Sequence, residues 1–149
     1  MAELWNELMS LVHSVPLCYL ATASRDGVPD IAPLASAAAV DAHTLIMAAT
    51  LKGKSVANLR ENPRAALIVH SDPPPRAQAS LATISRVTGA QIKGRATILT
   101  SGDIHEQARR TTAEALGPEA RDTFEATIVL EVDEIYSLVP RAADAAPTD

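Results

Sequence analysis

Leu4, Leu8, Leu11 and Val12 recur at helical spacing, and Trp5 widens the same apolar side, so residues 3–14 read as an amphipathic helix that Pro16 ends. The period then changes. Residues 17–24, LCYLATAS, read as a strand, and Asp26-Gly27 supplies the turn of a hairpin. The run DIAPLASAAAV, residues 30–40, predicts one strand, at a sheet edge or bulged, because Pro29 and Pro33 can donate no ladder hydrogen bond. A polar turn at 41–44 leads into LIMAA, a short buried strand. Residues 54–62 read as a short helix that stops where Pro63 restrains the residue before it, and AALIV is another buried strand.

Beyond it, HSDPPPRAQASL reads as a loop with a polyproline-type stretch at Pro73, Pro74 and Pro75. The next nineteen residues, ATISRVTGAQIKGRATILT, have a β-like pattern. Ala90, Ile92, Ala96 and Ile98 share one face, and Gln91, Lys93 and Arg95 the other. Ile84 and Val87 fall out of phase, which predicts a bulge or turn before Gly89. Residues 103–116 read as a helix capped by Ser101 or Asp103 and ended by Gly117-Pro118, and 126–139 as the last strand. Residues 1–140 are taken as one domain and 141–149 as a small, polar, disordered tail. No internal repeat is present. The class is mainly β, and short antiparallel strands joined by hairpins predict a closed or nearly closed barrel with peripheral helices.

Composition narrows this picture. Apolar residues make up 47% of the 149 but aromatics only 3%, so the core is built from Ala, Val, Ile and Leu, and a partner subunit is expected to supplement it. The net charge of −5, with no basic stripe, argues against nucleic-acid or membrane-surface binding but leaves room for a small anionic ligand. The single cysteine, Cys18, sits in an apolar run and reads as a buried small hydrophobe. No apolar run approaches about 18 residues and no leader pattern is seen, so a cytoplasmic location is expected.

Candidate chemistry concentrates in LKGKSVANLRENPRAALIV, residues 51–69. A turn at Gly53 feeds a helix whose first amides lack partners. The helix dipole, Lys54 and the Ser55 hydroxyl are the ingredients of a phosphate site. The alternative is that Ser55 only caps the helix and Lys54 is solvated. Asn58, one turn further along, has a ligand, the neighbouring strand or solvent as its possible partner. The four histidines lack metal-type spacing, and neither H-E-x-x-H nor G-x-S-x-G occurs. No catalytic residue and no metal ligand is therefore assigned, which suits a protein whose cofactor carries the chemistry.

Three segments in order resemble one family. LATASRDGVPDIAPL (residues 20–34) resembles its opening hairpin, GKSVANLRENPRAALIV (53–69) its signature segment, and IKGRATIL (92–99) its later G-x-A strand. The family is the pyridoxamine 5′-phosphate oxidase-like, FMN-binding split β-barrel. The resemblance implies a six-stranded Greek-key split barrel and a homodimer with FMN at the interface. It implies that Lys54 and Ser55 grip the FMN phosphate and that Asn58 is the signature Asn. Ala32, Pro33 and Leu34 match the strand along the isoalloxazine ring, and Ala49 and Thr50 the strand end beside the ribityl phosphate. Gln91 and Arg95 stand, by analogy, as the partner subunit's contribution. Oxidases proper carry a second cation at Ser55 and a C-terminal Trp- and Arg-bearing segment that this chain lacks. It therefore resembles the small FMN-binding and flavin reductase-like members more than the B6 oxidase. An oxidoreductase reduced by a nicotinamide cofactor is the function this implies. Alternatives are a haem-utilisation type member, whose loop IVHSDPPPRAQASL resembles, a deazaflavin-dependent reductase, and a non-enzymatic flavin storage or sensor module.

Overall fold

The computed structural model describes residues 2–35 and 37–138, so the expected tail at 141–149 lies outside the described residues. The elements are α1 (Ala2–Ser14), β1 (Cys18–Ala23), β2 (Pro29–Leu34), β3 (Ala38–Asp41), β4 (Thr44–Ala49), α2 (Lys54–Glu61), β5 (Arg64–His70), a 3-10 turn (Arg76–Gln78), α3 (Leu81–Ile84), β6 (Gly89–Leu99), α4 (Asp103–Leu116), α5 (Ala120–Thr123) and β7 (Ala126–Ser137). The strands form one sheet in the order β2-β1-β5-β6-β7-β4-β3. Every pairing is antiparallel. The sheet coils far enough for β2 to pack against β4, yet β2 and β3 remain its two ends, as in a split barrel.

Three expectations change here. Among the described residues the strand count is seven, not six, because residues 30–40 divide into β2 and β3, which lie at opposite edges of the sheet. Pro29 and Pro33 do sit on an edge strand, where a missing N–H costs no ladder bond on the open side. The chain must then cross to the far edge before it can pair with β4. Residues 81–88 are not strand. Ser80 and Thr83 form a reciprocal capping box that starts α3, and β6 begins only at Gly89, which meets the expectation of a turn there. The cap of α4 is Gly102 at φ 97, not Ser101 or Asp103.

The Asp26-Gly27 turn closes as expected, with Gly27 at φ 83 and Ser24 N–H bonded to the Val28 carbonyl at 3.0 Å. Leu20, Leu45, Met47, Leu67, Ile92, Ile128 and Leu130 are buried between the inner faces of the strands. Trp5, Leu8 and Val12 of α1 and Val56 and Leu59 of α2 join the same cluster, so both helices are held by one apolar face each. Cys18 is buried, and desolvation pushes its thiol up to about 11. The long β6–β7 ladder shifts register between Lys93 and Gly94, and a Cβ at Gly94 would overlap the Glu131 carbonyl oxygen.

Candidate functional site

The corner where β4 hands over to α2 is built by backbone bonds. After Ala49 the chain turns, and Gly53 N–H bonds the Thr50 carbonyl at 3.1 Å. Leu51 N–H donates to Glu125 Oε2 at 3.1 Å, which pins the turn to the residue just before β7. Gly53 is the N-cap of α2 in an extended conformation and supplies no side-chain cap. The first intrahelical bond runs from Ala57 N–H to the Gly53 carbonyl at 3.2 Å. The amides of Lys54, Ser55 and Val56 precede it and make no hydrogen bond among the described residues, which leaves them for an outside acceptor. No carboxylate occupies the first turn of α2.

Ser55 is not the cap that one reading of the sequence assigned to it. It lies two residues past the Gly53 cap, 7% exposed, and its hydroxyl makes no hydrogen bond among the described residues. Lys54 beside it is exposed, as is Lys52. A hydroxyl donor, free amides, a dipole end and an ammonium therefore meet at one place, which is a donor set for an oxyanion. Glu125 is the nearby countercharge. Its carboxyl is held below the usual range first by the Leu51 amide, then by its own amide and by the charge of Lys52.

Asn58 resolves in favour of the neighbouring strand. It is 1% exposed and its Nδ2 donates to Thr22 Oγ1 of β1 at 3.0 Å. Its role here is to lock α2 onto β1. Thr22 had no signal in the sequence beyond a β-branched residue in a strand.

β2 packs against both α2 and β4, so Ala32, Pro33 and Leu34 lie on an element adjoining the α2 corner and the Ala49–Thr50 strand end. Ala32 and Leu34 are half-buried and Pro33 faces outward. The open edge of β2 carries unpaired backbone groups.

Gln91 and Arg95 lie elsewhere. They occupy the outward face of β6, opposite buried Ala90, Ile92 and Ala96, and turned away from the cluster holding Val56 and Leu59. Gln91 lies between Ile68 of β5 and Tyr136 of β7, and Arg95 between Arg64 and Glu131. On this face the Tyr19 and His70 rings stack at 6.3 Å, with their planes 5° apart. Lys93 Nζ sits 5.4 Å from the Tyr136 ring centroid. Among the described residues no group of His, Cys, Asp and Glu suits a metal ion, and no helix is long and apolar enough to cross a membrane.

Comparison with known proteins places this geometry. The family model described as "Pyridoxamine 5'-phosphate oxidase" matches residues 4–138. No curated protein sequence matches the chain. Among solved structures, an FMN-binding protein from Syntrophomonas wolfei subsp. wolfei is 17% identical, with 91% of this chain and 86% of that chain covered and a TM-score of 0.74. HupZ from Group A Streptococcus is 23% identical over 90% of this chain and 93% of its own, with a TM-score of 0.69. HutZ, the heme storage protein from Vibrio cholerae, is 12% identical over 88% and 92%, with a TM-score of 0.68. At these identities the structures share the fold.

Proposed function

Because this chain belongs to the pyridoxamine 5′-phosphate oxidase family, we propose that it is a homodimeric, cytoplasmic flavoprotein that holds FMN by its phosphate at the start of α2 and serves as an oxidoreductase. The observation that carries the reading is Ser55, nearly buried at that helix end with no partner for its hydroxyl among the described residues. A phosphate oxygen supplies the missing acceptor. The free amides of Lys54, Ser55 and Val56 orient the phosphate, and the Lys54 ammonium adds charge. β2 lies alongside, where Ala32 and Leu34 offer small apolar contact and its open backbone edge offers bonds to the polar rim of a ring. Thr50, exposed at the end of β4, borders the ribityl chain, while buried Ala49 shapes that end. Bound there, FMN supplies hydride or electron transfer, with a nicotinamide cofactor as the donor in this reading. The outward sheet face, with half-buried Tyr19 and Ile68 and exposed Ile31, supports contact with a second copy. Such contact would bring the partner copy's Gln91 and Arg95 toward the cofactor. Titration of the purified protein with FMN tests this. Quenching of flavin fluorescence and a resolved absorbance band are expected, and absence of both rejects the assignment.

A second reading, haem binding, is favoured by one observation. His70 donates Nδ1–H to the Ser71 carbonyl at 2.7 Å, which orients the ring with Nε2 as its other nitrogen on the outward face. Orientation of that kind is what a metal-ligating imidazole needs. A Soret shift on haem titration that is lost in His70→Ala, with no flavin uptake, would replace the flavin reading.

A further inference from the structure

Glu125 stands at the α2 corner for two independent reasons. The β4–β7 register pairs Ala49 with Ala126, which sets residue 125 beside the turn that follows β4. Its Oε2 then accepts the Leu51 amide at 3.1 Å. The bond braces the turn whose other closure is Gly53 N–H to Thr50 carbonyl, so the carboxylate helps aim the first amides of α2. The same carboxylate is exposed and lies within the field of Lys52. Lys52 and Lys54 are the exposed cations of this turn, and Glu125 is the exposed carboxylate bonded to it.

We propose that Glu125 is a specificity-determining residue of the phosphate corner: it holds the turn in place while its charge weakens the grip on a doubly charged phosphate, so that FMN is bound less tightly than the two lysines alone would hold it. This rests on the flavin-phosphate reading above. The two effects separate by chemistry. Gln keeps a carbonyl oxygen that accepts the Leu51 amide and removes only the charge, whereas Ala removes both. A unit charge acting on a dianion across roughly 10 Å of high-dielectric surface changes affinity about three- to fivefold, and the effect vanishes within a Debye length of about 3 Å at 1 M salt.

The experiment measures FMN and riboflavin dissociation constants for the wild type, Glu125→Gln and Glu125→Ala, at low and high ionic strength. The same chains are titrated with inorganic phosphate, read by amide chemical shifts at Lys54 and Ser55. Expected for Glu125→Gln are tighter FMN and phosphate binding at low salt, an unchanged riboflavin constant, and convergence with the wild type at high salt. Glu125→Ala should bind FMN more weakly than Glu125→Gln, because the turn is released. FMN and riboflavin constants that move together, or Glu125→Gln binding FMN no tighter than the wild type, overturn the role of Glu125 while leaving the phosphate corner standing. Amides that ignore phosphate in every chain, with no flavin bound, overturn the corner and this role together.

Discussion

Replacing Ser55 by Ala separates a ligand-binding hydroxyl from a structural one, because the two roles predict opposite signs. In the free protein Ser55 is 7% exposed as a residue, and its hydroxyl bonds nothing among the described residues. A buried, unpaired hydroxyl costs about 1–3 kcal/mol. Among the described residues no fully enclosed side-chain polar atom lacks a partner, so this oxygen keeps some access to solvent and the low end of the range applies. Alanine also has the higher helix propensity, by a few tenths of a kcal/mol. Ser55→Ala should therefore stabilise the ligand-free chain by about 1 kcal/mol, a rise in Tm of about 2–4 °C for a protein of this size. In the complex the same hydroxyl would donate to a charged phosphate oxygen, worth about 1.5–3 kcal/mol, so FMN affinity should fall by about ten- to a hundredfold. Differential scanning fluorimetry without ligand and a fluorescence titration with FMN measure both. A lower Tm with unchanged flavin affinity would refute the reasoning, since it would show a hydroxyl that serves the fold and not a ligand.

Asn58→Leu should destabilise the chain by about 2–3 kcal/mol in urea denaturation, because it strands the Thr22 hydroxyl in the core. Adding Thr22→Val should recover part of the loss, a coupling that a double-mutant cycle reads directly. Gly94→Ala should lower Tm because its Cβ meets the Glu131 backbone, and Gly102→Ser should lower it for a different reason, since Gly102 faces open space but holds φ 97, where only glycine is unstrained. Cys18 should resist thiol reagents at neutral pH until the chain unfolds. Its folded pKa, about 11, lies above the ordinary 9.0, so the unfolded chain gives up the proton first. Stability should accordingly fall as pH rises from 9.0 toward about 11, and Cys18→Ala should remove that dependence.

Much of the fold was legible because its signals are local. Alternation on Ala90, Ile92 and Ala96 marks the inner face of β6, and those residues are buried. Asp26-Gly27 marks the hairpin, and Asn62, the C-cap before Pro63, ends α2 at Glu61. Where prediction slipped, competing local chemistry won. The Ser80–Thr83 capping box turned an apparent β pattern into α3, and the division of residues 30–40 follows from strand order, which periodicity does not carry. The candidate site was legible as a list of residue types around Gly53, but not as an arrangement. Ser55 and Asn58 are neighbours on one short helix, yet among the described residues one is left without a partner and the other is taken by β1.

The sequence by itself determined the strand-rich class, the helix that starts beside Lys54, the burial of Cys18 and the family. All of these depend on spacings of a few residues or on segments in order. Only the tertiary structure decided which polar groups are free. Asn58 finds Thr22 across a sequence separation of 36, and Leu51 finds Glu125 across 74. Those partners are set by which strands lie side by side. β1 runs beneath α2, and β4 pairs with β7, so the turn after β4 meets the residue before β7. A hydrogen bond forms over about 3 Å of space whatever the distance along the chain. That the Ser55 hydroxyl has no partner among the described residues is therefore a property of the folded molecule alone.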